Sequence, residues 1–538
     1  FKLNAYGIAC SGVLIFVVLL LVLLSGEVLD DLDQSVPTFD INLSAVVNKM
    51  DRIFLGAGLD SSLLGEPAAW GSLTERFEND SLMMLLKSIA PAVLKFSGYE
   101  TDHFYFVDAE KCSFNGERSI YSRDPFSLMS LGLPPLPSGA GSPVSPQRSR
   151  LKNTDLSPNS KFPLTGSDWL ALNQFVGRAG WSLLFSLNAH RLESDDPSPS
   201  HQLTSSGDLY PLLQGLLWQL GEAAADRWPG PGPSPYALAC EYEALHDLLA
   251  FYPATLVGPG VSTVRHPGIR FLDRFLRGRG RFVDVVSLRH VLHEKENVTL
   301  EEILDPAPME KFASLLVNLA DFLTTASPRS RRVWLSALTT TRGAVRGVSG
   351  TFAAMLAWVD AFGAAAKSGI TAVLRNVLLG AEDAFILTDG IDNGTLMPLP
   401  DFWATLLIGR HVGRRVLAIE RPKIQDPATR IYVHCAREHP GGLAFFGVRL
   451  ADTKVRFKNK GSRKGWKRQL RWVMTADGGG DLSQPVVKLN GRPLEWTSGS
   501  KRDLPDLSAD ELTSTIVVLP AWSMVLTVFP DVGALGCG

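Results

Sequence analysis

Short apolar runs recur along the first three-quarters of the chain, with stretches of helical period between them. Phe39–Ser44 opens the series, alternating like a strand, and Ala92–Gly98, Trp181–Asn188, Leu212–Leu220 and Ala254–Val257 follow. Phe282–Ser287, Arg332–Leu335, Ile370–Arg375 and Ala384–Leu387 complete it. Runs that stay apolar on successive residues suit strands covered on both faces, and strands alternating with helices build parallel βα units. Roughly eight such units make a closed barrel. From about Val412 the helical period ends. Val416–Ile419, Arg430–Cys435, Leu443–Val448, Val486–Leu489, Ile516–Leu519 and Met524–Phe529 are short and alternating, which predicts an antiparallel β-sandwich. The expected fold class is α/β: a (β/α)8 TIM barrel over residues 28–411 and a carboxyl-terminal β-sandwich domain over 412–538.

Two segments stand outside this pattern. Residues 8–24 form an apolar run after Lys2 and before Glu27, Asp30, Asp31 and Asp33. At that length it reads as a cleaved signal or as a signal anchor, within residues 1–27. Either sends the chain into the secretory pathway, as a secreted or matrix protein or as a single-pass membrane protein with its bulk lumenal or extracellular. Between Asp124 and Lys161 the strand–helix pattern stops. The proline-rich Pro134–Pro146 and a basic, serine-rich stretch fill the gap and predict a flexible insertion.

Composition narrows the function. The formal net charge is −2, so any polyanion binding must come from local patches. The cysteines, Cys10, Cys112, Cys240, Cys435 and Cys537, are too few for a disulfide scaffold and lack metal-binding spacing. No metal or cofactor is expected. Sequons at Asn42, Asn79, Asn297 and Asn393 fit the secretory route.

The run ending at Leu220 carries Trp218-Gln-Leu-Gly-Glu-Ala-Ala-Ala225 and then a turn rich in proline and glycine, Pro229–Pro235. That is a strand's carboxyl end, where barrel active sites sit. In this stretch the chain resembles the heparanase family of retaining glycoside hydrolases (glycoside hydrolase family 79), whose fourth strand ends in Trp-Glu-Leu-Gly-Asn-Glu-Pro. Trp218, Leu220 and Gly221 match; Glu222 falls on the asparagine and Ala223 on the general acid/base glutamate. The resemblance continues through Gly166–Trp169, Trp181–Asn188, Thr351–Ala354 with Trp358, Pro398–Trp403, Tyr432–Cys435 and Gly536–Gly538. It covers most of the chain from about Asp33, and the order and spacing of the fragments make it specific.

Retaining glycosidases need two carboxyl groups about 5–5.5 Å apart, one proton donor and one nucleophile. The family's nucleophile lies in Trp-Leu-Gly-Glu-Thr, and Trp334–Leu338 places Ala337 there. Pocket features erode too. Leu288-Arg-His-Val291 replaces Trp-His-His-Tyr, Thr341–Val345 replaces a glycine-rich turn, and Ala384 falls on a tyrosine. The likeness is therefore to the family's catalytically inactive paralogue, and no enzyme is expected. Glu222 remains a weak candidate acid, moved into place by a one-residue deletion, but reads better as a solvated loop carboxylate. His290 reads as a hydrogen-bonded packing histidine rather than a sugar contact. The family's closing disulfide implies Cys435 bonded to Cys537.

Two basic regions supply candidate glycan contacts. Lys454, Arg456, Lys458, Lys460, Arg463, Lys464, Lys467, Arg468 and Arg471 fall in a stretch without acidic residues, expected as a strand with its cations on one face and a hairpin tip at Arg463 and Lys464. Arg265, Arg270, Arg274 and Arg277 lie where the family carries a heparin-binding segment, the last three at helical spacing opposite Ile269, Leu272 and Leu276. Guanidinium groups pair bidentately with sulfate oxygens. The resemblance implies heparan sulfate or heparin as partner, with heparan sulfate proteoglycans or an active heparanase beside it, no nucleic acid, and a membrane if the amino-terminal run is uncleaved. Two rival readings remain: an active endo-β-glucuronidase with displaced catalytic groups, and an anchored interaction or adhesion protein that ignores sugar.

Overall fold

The structure is a computed structural model that describes residues 38–61, 79–98, 101, 104–106, 162–164, 166–187, 216–222, 232–263, 266–326, 332–380, 382–388, 395–421, 426–459, 466–478, 480–496 and 504–538. In chain order the first strands are β1 (Thr38–Lys49), β2 (Leu55–Asp60), β3 (Val93–Ser97), β4 (Phe104–Phe106), β5 (Phe162–Leu164), β6 (Ser182–Leu187) and β7 (Leu217–Leu220). β8 (Thr255–Ser262), β9 (Val285–His293), β10 (Arg332–Thr341) and β11 (Ala372–Asn376) follow. Eight of these close a barrel in the order β10-β11-β2-β3-β6-β7-β8-β9, with every neighbouring pair parallel. The TIM barrel expected from the alternating pattern is present.

Three strands differ from the sequence reading. Phe39–Ser44 does not enter the barrel. It belongs to β1, which pairs antiparallel with β15 (Val412–Arg421) of the other sheet, so that sheet takes a strand from within residues 28–411. Burial gives the physical reason: Ile41 is buried while Ser44 to Val47 are all exposed, whereas a barrel strand is covered on both faces. Ala384–Leu387 is likewise outside the barrel. Ile386–Thr388 (β13) lies in a small sheet between β12 (Leu379–Gly380) and β14 (Leu396–Pro398).

The strand that replaces them, β2, reads Leu-Gly-Ala-Gly-Leu-Asp. Its glycines hide it from a hydrophobic search, yet both sit in close contact with the neighbouring strands. A Cβ on Gly56 would sit 2.3 Å from the Val93 carbonyl oxygen, and one on Gly58 would sit 2.1 Å from Asn376 Oδ1.

The second sheet has eleven strands. β16 (Thr429–Ala436), β17 (Leu443–Arg449), β18 (Val455–Asn459), β19 (Arg468–Ala476), β20 (Val487–Leu489), β21 (Arg492–Pro493), β22 (Asp510–Thr513), β23 (Ile516–Leu519) and β24 (Ser523–Phe529) join β1 and β15. The path runs β21-β20-β19-β24-β17-β16-β15-β1-β18-β23, with β22 on β19. Phe445 of β17 and Phe457 of β18 share one core with Trp466 and Phe529 although their strands are not neighbours. The sheet therefore folds over on itself. Cys435 and Cys537 are bonded, 102 residues apart, which stabilises the fold by about 5 kcal/mol in the chain-entropy account.

The helix Phe352–Lys367 joins the two parts. All of its residues but Lys367 are buried, as expected for a helix covered on every side. Among the described residues no helix is long and apolar enough to cross a membrane. The apolar run 8–24 and the insertion 124–161 lie outside the described residues.

Candidate functional site

β7 ends at Leu220, and Gly221 follows with φ +69°, a conformation glycine adopts without strain. That turn folds Glu222 back across the barrel's carboxyl end. Glu222 is buried, so it is not the solvated loop carboxylate expected from sequence. Lys95 Nζ, from the middle of β3, lies 2.9 Å from Oε1 and 2.8 Å from Oε2. Gln219 Nε2 donates to Oε2 at 3.0 Å, and Arg289 Nη1 stands 3.6 Å from Oε1. Protein donors thus engage both oxygens, where a general acid must face a substrate oxygen.

The polar network continues into the barrel. Ser287 Oγ donates to Gln219 Oε1 at 3.3 Å, and Ser287 and Ser336 hydroxyls meet at 2.6 Å. Lys95 Nζ also donates to Ser336 Oγ at 3.5 Å. A serine beside a lysine can form a nucleophile–base pair. Here Lys95, Ser287 and Ser336 are all fully buried, out of a substrate's reach, and the lysine is held by Glu222. Sequence reasoning missed this network. The signal was Lys95 itself: a lysine between Leu94 and Phe96 in a strand covered on both faces is almost never buried unless paired.

Ala337, where the resemblance would put a nucleophile, lies on β10 opposite Arg289. The register between β10 and β9 shifts between Leu335 and Ala337, a bulge of the kind found beside active sites. The side chain there is a buried methyl, which neither donates a proton nor forms a glycosyl ester. Ala223 lies outside the described residues. Ala384 is fully buried and contributes no polar group.

His290 is a packing residue. Its Nδ1 is 2.6 Å from Thr263 Oγ1, and its ring sits 4.5 Å from that of Phe312. Burial, aided by His293 and Lys311, pushes its pKa down to about 4, so the imidazole is neutral at pH 7.

The basic regions are partly as expected. β18 exposes Arg456 while Phe457 is buried, and Lys454 and Lys467 are exposed. The expected hairpin is a correction: β18 and β19 do not pair. Lys458 pairs in register with Ile516 and Arg468 with Thr513, so the bend between β22 and β23 brings the two cationic strand ends together. Opposite charge waits there, since Arg468 Nε lies 2.7 Å from Glu511 and Arg471 Nη2 lies 4.0 Å from Asp510. Lys460, Arg463 and Lys464 lie outside the described residues.

The helix His266–Arg277 shows Arg270, Arg274 and Arg277 exposed, with Phe271, Leu272, Phe275 and Leu276 buried. Arg277 Nε bonds Asp273 at 2.6 Å. Arg265 lies outside the described residues. Among them no cluster of acidic, histidine or cysteine side chains could hold a metal ion.

Comparison with known proteins gives a consistent picture. No protein-family model matches the chain. It is 25% identical to a heparanase from Gallus gallus over 92% of this chain and 96% of that protein. It is 24% identical to inactive heparanase-2 from Homo sapiens over 94% of this chain and 90% of that one. Among solved structures, a family 51 α-L-arabinofuranosidase from Bifidobacterium longum superposes with a TM-score of 0.56 at 13% identity, covering 92% of this chain and all of that one. The two share a fold built on a closed eight-stranded parallel barrel with antiparallel sheet beside it. Over most of its length the chain is similar to proteins named heparanase and to one named inactive heparanase-2.

Proposed function

We propose that this chain is a pseudoglycosidase of the secretory pathway, one that binds heparan sulfate or heparin without cutting it. The observation that carries the reading is the pairing of a methyl at Ala337 with a carboxylate at Glu222 already engaged by Lys95, Gln219 and Arg289. Double displacement requires a nucleophile and a separate acid, and these two positions offer neither. The sequon set and the Cys435–Cys537 bond favour an oxidising compartment, whether the protein is released or stays anchored. The exposed Arg270, Arg274, Lys454, Arg456 and Lys467 suit a sulfated chain. Its protein partners would be those that carry such chains, heparan sulfate proteoglycans, or an active heparanase competing for them.

Purified protein incubated with heparan sulfate at pH 5 and pH 7 is expected to leave the chain length unchanged on size-exclusion chromatography, while heparin-affinity chromatography retains it in a salt-dependent way. Cleavage that disappears in Glu222→Gln would establish the displaced-acid enzyme instead. Absence of retention would leave an adhesion or interaction protein that ignores sugar.

A further inference from the structure

Two of the described sequons stand on the rim of the barrel's carboxyl-end mouth. β9 ends at His293 and the next helix begins at Leu300, so Asn297 lies in the connection above the strand ends. Asn79 is the N-cap of the helix Asp80–Ile89, whose far end leads directly into β3. That helix runs antiparallel to the strands, which puts its amino end at the mouth. Both asparagines are exposed.

In the barrel order only β10 and β11 separate β9 from β2, the strand before Asn79. The two sequons therefore flank the arc of rim that holds Ala337. The wall there is tall. Thr341 pairs with His293, four residues beyond the Ala337–Arg289 pair, about 13 Å higher at about 3.3 Å per residue.

Local structure tolerates modification at both. Asn79 caps its helix through Oδ1, which accepts from Ser81 N at 2.9 Å and Leu82 N at 3.1 Å. A glycan would join Nδ2, which the cap does not use. The cap of the other helix is Thr299, which shares a capping box with Glu302, so Asn297 carries no structural duty there. Arg342 reaches Glu296 at 3.8 Å and ties this loop to the one after β10.

We propose that N-linked glycans on Asn79 and Asn297 form a hood over the barrel mouth, leaving an acidic polysaccharide to the outer cationic faces. In each case Nδ2 bonds to the anomeric carbon of an oligosaccharide carried on a lipid pyrophosphate; the pyrophosphate leaves and the amide loses a proton. The hood rests on the secretory reading above.

The test uses full-length protein secreted from mammalian cells. Glycopeptide mass spectrometry reads occupancy, and hydroxyl-radical footprinting reads solvent access at the rim, residues 339–350. Ser81→Ala with Asn297→Gln removes both sequons and keeps both helix caps; Ser44→Ala removes the sequon of Asn42 in the other sheet as a control. Rim labelling is expected to rise at least two-fold in the first variant and in wild type stripped of glycans by glycosidase after folding, and to stay level in the control. Occupied sites with unchanged rim labelling overturn the hood alone. Bare Asn79 and Asn297 in the secreted protein overturn the hood alone, whereas a chain that stays in the cytosol overturns the secretory reading and the hood with it.

Discussion

An ammonium and a carboxylate removed from water cost several kcal/mol each, and close mutual contact with further hydrogen bonds is what recovers that cost. Lys95 and Glu222 meet these terms, with Lys95 fully buried and Gln219 satisfying a remaining lone pair. Breaking the pair from one side should therefore hurt more than removing it whole. Lys95→Met alone is expected to cost about 3 kcal/mol in urea unfolding, and much less in a Glu222→Leu background. Equal costs in both backgrounds would show that the pair is not coupled. The motif around Trp218 located this site in the sequence, because strand end and loop composition are local properties. That Glu222 folds inward onto Lys95 was not legible, since the partner lies 127 residues away.

A second residue links packing to pH. His434 is fully buried, its Nδ1 bonded to the Gly413 carbonyl at 2.9 Å while Nε2 has no partner. Burial pushes its pKa down from 6.5 to about 4. The unfolded chain takes up the proton first, so stability is full above about pH 6.5, falls as pH drops towards 4, and levels off below. That is on the order of 3 kcal/mol over the window. In His434→Gln the melting temperature should depend less on pH, so its gap to wild type should narrow between pH 7 and pH 4. A constant gap would mean the buried imidazole does not set this slope.

At the scale of elements, neighbouring charge decides which cations remain available. Charge and spacing singled out nine cations around β18 and β19, but no count along the chain could show that Glu511 and Asp510 arrive from β22 to face Arg468 and Arg471. Exposed pairs contribute little to stability, yet an arginine held by a carboxylate offers less net charge to a sulfate. Lys454, Arg456 and Lys467 to alanine should therefore lower the salt at which the protein leaves a heparin column more than Arg468 and Arg471 to alanine. The reverse order would mean that the acidic residues yield to the glycan. The same scale explains the misread strands. β1 is open to water over Ser44 to Val47, and β2 is silent because Gly56 sits against the Val93 carbonyl and Gly58 against the Asn376 side-chain amide.

For the whole molecule the decisive contact is between the barrel helix Phe352–Lys367 and the folded-over sheet. Asp360 of that helix is fully buried, with Arg430 Nε of β16 at 2.8 Å and the Tyr432 hydroxyl donating to it at 2.6 Å. Arg430 also reaches Glu310 on the helix Pro306–Ala326. Nearby, a Cβ on Gly363 would sit 2.1 Å from the Tyr432 ring, so that ring packs directly on the helix backbone. One apolar core runs through both parts, joining Phe362 and Trp358 to Phe446, Trp472 and Leu526. Sequence periodicity divided the chain near Val412 because the pattern changes there, but an all-apolar helix records that it is covered, not by what. Barrel and sheet should therefore unfold together. Calorimetry of the intact chain is expected to show one transition, and Asp360→Ala, which leaves Arg430 with the more exposed Glu310 and the Tyr432 hydroxyl without its acceptor, should destabilise the fold by about 3 kcal/mol without splitting that transition. A barrel cut after residue 411 should fail to accumulate as soluble protein, because the helix would lose one of its covered faces. Two separate transitions in the wild-type chain, or a soluble barrel fragment that melts cooperatively by itself, would show that the two parts are stable independently.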